Sequence, residues 1–473
     1  MRGIVSIAGY VPHHRLDRAE VAAFHRTDGG RGTRAVAGHD EDTTTMGVES
    51  ARLALRSAPG APPSTLWFAT ATPAYLDKTN AATVHAALGL PAATGAYDFG
   101  GALRSATGAL GAALDGSGTV AVVAADVRDG LPSSADERAG GDAAATVVVA
   151  DGSDDRPVLA ELVGRASVTD EFVDRWRTPG DRRSRTWEER FGETRYVPLG
   201  AQAFAAALAS AGRDAGDVNR VAVTGMHARA VRALGRRLAL PAGVLADDLS
   251  ATVGQAGAAQ PLLEMAALVE AAAPGDVVAV VHLADGADAL VFRVTEARAG
   301  WHPARPVADQ VAVGAPLPYA TFLAWRGMLT PEPPRRPEPA RVSASAAWRS
   351  EAWKFRFVGS EDRTSGAIHL PPARVSMDGG AVDDMVPVER ADTVATVATY
   401  TVDRLAYSPS PPIVFAVLDF DGGGRFPVEL TDVDADRVQI GDRVEMTFRR
   451  LFTADGIHDY FWKATPVRTR SGS

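Results

Sequence analysis

Over residues 1–298, short runs of β-branched and small apolar residues alternate with Ala- and Leu-rich stretches, and this alternation leaves few folds open. The runs at 4–8, 66–71, 119–125, 145–150, 221–224, 277–283 and 290–294 lack the polar alternation of a half-exposed strand. They read as strands buried on both faces. The stretches 44–57, 80–88, 102–114, 200–211, 228–238 and 258–273 have the length and composition of helices. Strand and helix in turn predict an α/β domain. Residues 118–150 and 275–294 share a layout of glycine, apolar strand, acidic Gly-containing loop and second strand, which points to an internal duplication.

The pattern breaks at TPEPPRRPEPA (330–340), a proline-rich spacer expected to be extended. Beyond it come short strands at 394–400, 413–418, 425–430, 443–449 and 458–463, separated by turns such as DGGG (421–424) and IGD (440–442). Five such strands in a row predict a small β-barrel of the OB type.

The balance of 49 basic against 58 acidic residues gives a net charge of -9, which argues against nucleic acid as a partner. No run approaches the ~20 apolar residues of a membrane span. MRGIVSIAGYVPHHRL at the start passes from an apolar strand into polar residues without a small-residue cleavage site. The expected location is cytoplasmic, with no membrane partner. Absence of cysteine from the whole chain removes disulfides, thiolate metal sites and thiol catalysis together.

Several stretches resemble bacterial and archaeal hydroxymethylglutaryl-CoA synthase-like proteins of the thiolase superfamily, beside the ketoacyl-ACP synthase III enzymes. They are GIVSIAGYVPHHRLDRAEVA near the start, DEDTTTMGVESARLAL (40–55), ADVRDG (125–130), GGDAAATVVVADG (140–152) and PGDVVAVVHLADGADALVF (274–292). The tail resembles the DUF35 family, a zinc ribbon followed by an OB fold, through GAIHLPP (366–372), the long stretch 397–434 and IGDRVEMTFRR (440–450). The resemblance implies a duplicated five-layered thiolase-like domain over 1–298 and a helix and Pro-rich linker over 299–345. A degenerate ribbon over 346–385 and an OB-fold domain over 386–473 would follow. It also implies a homodimer, an acyl-CoA or acyl-carrier substrate, and a possible second thiolase-like subunit.

A thiolase-fold condensing enzyme needs a thiolate, a His or Asn pair, and in some members a carboxylate. In DFGGALRSATGAL (98–110) the family's D-x-x-x-A-C pattern puts Leu103 at the cysteine position. Ser105 and Thr107 follow, but residues two apart on a helix face different sides. The family glutamate position is Thr70, with Tyr75 nearby as a possible replacement acid. In VAVTGMHARAVRALGRRLAL (221–240) an ungapped register places Thr224 at the family histidine, and a local shift would place His227 there. Gln255 stands for the asparagine of G-N-x-x-A-A and keeps an amide. His282 and Asp285 stand where relatives carry small residues. Arg104 and Ser105, with Arg177, Arg182, Arg183 and Arg185 of the Arg-rich loop 169–196, are candidates for coenzyme A phosphates.

The four zinc-ligand positions of the ribbon are Asp362, Ser365, Ser376 and Gly379, so no zinc and no bound cofactor are expected. Two functions fit these residues. One is an atypical acyl-CoA enzyme working without a cysteine, by non-covalent aldol or retro-aldol chemistry or by direct acyl transfer. The alternative is an inactive scaffold subunit of a thiolase-type complex.

Overall fold

A computed structural model describes residues 1–27, 30–58, 60–380 and 382–468. They form two compact units. The first comprises Met1–Ala37, Asp42–Ala82 and Pro91–Tyr319, and the second comprises Gly38–Glu41, Thr83–Leu90 and Ala320–Ser473.

The large sheet of the first unit has nine strands: β1 (Arg2–Tyr10), β2 (Thr65–Thr70), β3 (Gly95–Gly100), β4 (Val120–Asp126), β5 (Ala143–Asp151), β6 (Ala160–Thr169), β7 (Arg220–Gly225), β8 (Val277–Leu283) and β9 (Gly286–Val294). Their order is β7-β8-β9-β6-β1-β5-β4-β2-β3. The halves join where β1 meets β6 through Gly3↔Glu161 and Ile4↔Ala160. Each half contains the same device, an antiparallel pair (β4–β5 and β8–β9) with a parallel neighbour (β2 and β7).

Helices complete five layers. Between the half-sheets lie α2 (Ser105–Asp115) and α6 (Gln260–Ala271); α1 (Thr43–Arg56) covers the first half, and α4 (Glu189–Ser210) with α5 (Ala228–Arg237) covers the second. A short helix α3 (Ala135–Ala139) follows β4. One aliphatic cluster joins Leu110, Leu262 and Leu263 of the inner helices to Val122 and Val147 on one side and to Val280 and Phe292 on the other. A second packs Phe204, Ala207 and Leu234 against the outer faces of β7–β9. All seven expected strands are present. β3 and β6 are added, and α4 begins eleven residues before its expected start at 200. Its inward stripe of Tyr196, Gly200, Ala203, Phe204 and Ala207 recurs at three- and four-residue spacing, and that packing carries the helix through Pro198.

In the second unit, β10 (Val358–Asp362) pairs antiparallel with β11 (Ile368–His369) and β12 (Met385–Glu389). Then β13 (Ala395–Asp403), β14 (Ile413–Phe420), β15 (Arg425–Leu430), β16 (Arg443–Ala454) and β17 (Ile457–Pro466) close a barrel in the order β13-β14-β15-β17-β16. Alternate residues such as Val397, Leu418, Val428, Phe448 and Trp462 fill it.

Three of the four ribbon positions come together at the end of β10. The Ser365 hydroxyl donates to Asp362 Oδ2 at 2.8 Å and the Thr364 N–H to Oδ1 at 2.9 Å. Hydrogen bonding from Ser376, the Thr364 N–H and Ser365 pulls the Asp362 pKa down to about 2. Gly379 lends no side chain, only a left-handed φ of 86°. One carboxylate and two hydroxyls bound to one another do not fit zinc, which takes thiolate and imidazole donors.

Candidate active site

Gly101, at φ 92°, turns the chain from β3 into α2, and Arg104 stands at the N-cap. Asp98 fixes this corner by accepting from the Asn80 N–H (2.8 Å), Asn80 Nδ2 (3.0 Å) and the Ala81 N–H (2.7 Å). The Leu103 side chain, just before the helix, lines a cavity of about 290 Å³. Ser105 lines a different groove, beside Arg165 and Asp288.

Opposite Leu103 the cavity wall is built by Asp174 and Arg175 of the loop after β6, by Tyr196 of α4, by Met226 and His227 after β7, and by Leu283 ending β8. Asp136 of α3 pairs with Arg175, and exposed Trp187 and Glu189 form the rim. His227 is the N-cap of α5: its Nδ1 accepts from the Ala230 N–H at 3.0 Å. The same ring stands 2.9 Å from the Glu189 carbonyl through Nε2. In that partner set Nδ1 accepts and Nε2 carries the hydrogen, with both nitrogens engaged. Burial pushes the Asp174 carboxyl up, against the opposing pull of His227 and Arg175. Burial, with Asp174 and Asp285 nearby, also raises the Tyr196 phenol.

Behind this wall a polar row crosses four neighbouring strands. Thr224 on β7 is the register partner of His282 on β8, His282 of Asp288 on β9, and Asp288 of Ser167 on β6. Arg104 grips Asp288 through two bonds, Nε to Oδ2 at 2.7 Å and Nη2 to Oδ1 at 2.9 Å. The Ser167 hydroxyl donates to Oδ1 at 2.6 Å. His282 Nδ1 stands 3.4 Å from Thr107 Oγ1, one turn along α2 from Leu103. Burial pushes the His282 pKa down to about 4, so the ring is neutral at pH 7 despite Asp288. Glu264, on α6 near Thr224, is fully buried and its pKa is pushed well up. Its Oε1 accepts from Gln260 Nε2 at 2.7 Å. Gln255 is buried with neither amide atom hydrogen-bonded among the described residues.

The other residues singled out by sequence lie outside this cavity lining. The Thr70 hydroxyl donates to Asp126 Oδ1 at 3.0 Å, and that carboxylate also accepts from the Ala71 and Ala258 N–H groups. Tyr75 is held through its backbone by Asn80 and does not line the cavity. Arg177 bonds the Ala71 carbonyl, and Arg182 bonds Asp129 at 3.1 Å. Arg185 sits on a two-residue strand paired with Trp176 and is exposed, and Arg183 is half-buried. Among the described residues that line the cavity, the loop contributes Arg175 instead of these four. Sequence reasoning passed over Asp174 and Tyr196, because in TDEFVDRWRTPGDRRSRTWEERFGETRY the arginines drew attention and the acids read as their solvated partners.

Two of the relatives found make the likeness explicit. The hydroxymethylglutaryl-CoA synthase of Pyrococcus furiosus is 27% identical over 306 residues, covering 62% of this chain and 85% of the relative. That of Picrophilus torridus is 29% identical over 210 residues, covering 41% and 59%. The chain resembles hydroxymethylglutaryl-CoA synthase. The solved structure of MvaS in complex with 3-hydroxy-3-methylglutaryl coenzyme A superposes with a TM-score of 0.58 at 19% identity, covering 72% of this chain and 94% of MvaS. FabH, the 3-oxoacyl-(acyl carrier protein) synthase III of Pseudomonas aeruginosa PAO1, gives 0.53 at 20% identity, covering 62% and 98%. The family described as the C-terminal OB-fold domain of ChsH2 matches residues 388–449. The first unit therefore has the thiolase-like fold of synthase-like proteins, and the second carries an OB-fold domain. No described helix is long and apolar enough to cross a membrane.

Proposed function

We propose that this synthase-like unit binds an acyl-CoA or acyl-carrier thioester in the cavity beside Leu103 and transforms it without an acyl-enzyme. The reaction is an aldol or retro-aldol step, or direct transfer of the acyl group to an acceptor. One observation carries this: Leu103 lines a polar-walled cavity at the start of α2, where the resemblance implies a cysteine. A leucine there offers no nucleophile, while the wall retains a carboxylate, a phenol and an imidazole. Hydroxymethylglutaryl-CoA synthesis through a cysteine thioester is incompatible with a chain that has no cysteine. A homodimer in the cytoplasm is part of the same proposal, supported by the edge position of β3, whose Tyr97 is 58% exposed. A second thiolase-like subunit is its possible companion.

Calorimetric titration with coenzyme A and a panel of acyl-CoA thioesters, followed by mass spectrometry of the protein, tests the reading. Binding of thioesters with no covalent adduct is expected. A stable acyl adduct would sink the non-covalent mechanism, and failure of every thioester to bind would favour a scaffold.

A further inference from the structure

We infer that Asp174 is the acid/base of the cavity, taking the α-proton of a bound thioester and handing it to the alkoxide formed in an aldol addition. This rests on the thioester reading above and names the residue that would move the proton.

Among the described residues, three carboxylates reach the cavity, and their surroundings differ. Asp136 is paired with Arg175, and Glu189 is exposed at the rim. Asp174 is 6% exposed and its carboxylate accepts no hydrogen bond from any described residue. Its oxygens open onto the cavity instead of onto a protein donor, so a ligand there meets them directly. Its backbone, by contrast, is pinned. The Asp174 carbonyl accepts from the Trp187 N–H at 2.7 Å, and Arg175 opens the short strand paired with 185–186.

The groups facing Asp174 leave it free to work. His227, across Gly192, has both ring nitrogens engaged, by the Ala230 N–H and the Glu189 carbonyl, so neither is bonded to the carboxylate. Arg175 is committed to Asp136. Tyr196 keeps its proton, and Asp285 and Glu189 add negative charge nearby. Desolvation then favours the protonated form, moving the carboxyl toward the pKa range where an acid/base works at neutral pH. At the family position for this role, Thr70 is tied to Asp126.

The step balances without a co-reactant beyond a carbonyl compound. Asp174 takes the α-hydrogen as a proton, and the C–H electron pair passes to the thioester as its enolate. The enolate carbon then attacks an aldehyde or ketone, and the new alkoxide takes the proton back from Asp174. The product is a β-hydroxy thioester, and the same sequence in reverse cleaves one.

The test is α-hydrogen exchange of acetyl-CoA and propionyl-CoA in D₂O, followed by NMR with the full-length protein. Wild type should exchange the α-hydrogens, at a rate that rises with pH along one ionisation. Asp174→Asn should bind the thioesters within about 3-fold of wild type, yet exchange about 100-fold more slowly or worse and lose that pH limb. Exchange by Asp174→Asn at the wild-type rate would overturn the inference. So would a wild type that binds thioesters without exchanging them, which leaves only direct acyl transfer. Absence of thioester binding in the calorimetry overturns the underlying reading and the inference together.

Discussion

Gly192 is packed so closely on His227 that a Cβ at this position would stand 2.5 Å from the ring's Cδ2 and 2.6 Å from Nε2. The same Cβ would stand 2.3 Å from Asp174 Oδ1. Gly192→Ala therefore has to push the imidazole or the carboxylate aside. The expected cost is about 1–3 kcal/mol in urea unfolding, with thioester affinity falling in calorimetry. A variant as stable as wild type would mean that this wall is loosely packed.

Leu103→Cys puts one thiol into a chain that has none. Because Leu103 lines the cavity, iodoacetamide should add once to this variant and not to wild type, as read by mass spectrometry. A bound acyl-CoA should slow the labelling. Labelling that thioesters leave unaffected would place the ligand elsewhere.

His282 provides a signature in pH. Its pKa is lowered from 6.5 to about 4 in the folded state, so between those values the unfolded chain binds more protons. Stability is full above about 6.5 and falls with decreasing pH, by roughly 1.4 kcal/mol per unit, until about 4. His282→Gln should flatten this limb in denaturant titrations at stepped pH. An unchanged slope would assign the acid sensitivity to other groups.

The joint at Asp362 has the opposite kind of titrating group and responds at lower pH. Its folded pKa is depressed from 3.8 to about 2, so its contribution is present above about 4 and disappears as pH falls toward 2. Asp362→Ala should lower the hydrogen-exchange protection of the Thr364 and Gly366 amides at neutral pH, while EDTA leaves the melting temperature unchanged. A melting temperature lowered by EDTA would reveal a metal the donor set does not suit.

Much of the fold was legible because most strands of the first unit are aliphatic runs that cannot be solvated. What escaped were elements with mixed surfaces. GAYDFG of β3 has no β-branched residue, and AELVGRASVT of β6 places Glu161 and Arg165 between apolar neighbours. The position of Leu103 could be read because DFGGAL is a local pattern whose glycine and aspartate have local jobs. The cavity could not be read in the same way. Asp174, Tyr196, His227 and Leu103 come from four separate elements, and their meeting depends on how α4 and the preceding loop fold over β7 and β8. The arginines of that loop looked like anion ligands in sequence, but Arg177 and Arg182 find partners within the chain.

The row Thr224, His282, Asp288 and Ser167 also acts as an alignment check during folding. Neighbouring residues on three of its strands, Val223, Val281, Leu283, Ala287 and Ala289, belong to the aliphatic cluster on the opposite face of the sheet. A one-residue slip of β7, β8 or β9 would drive a hydroxyl, an imidazole or a carboxylate into that hydrocarbon layer and strand Arg104 without its partner. Misaligned pairings are thus penalised by the same groups that hold Arg104 at the start of α2.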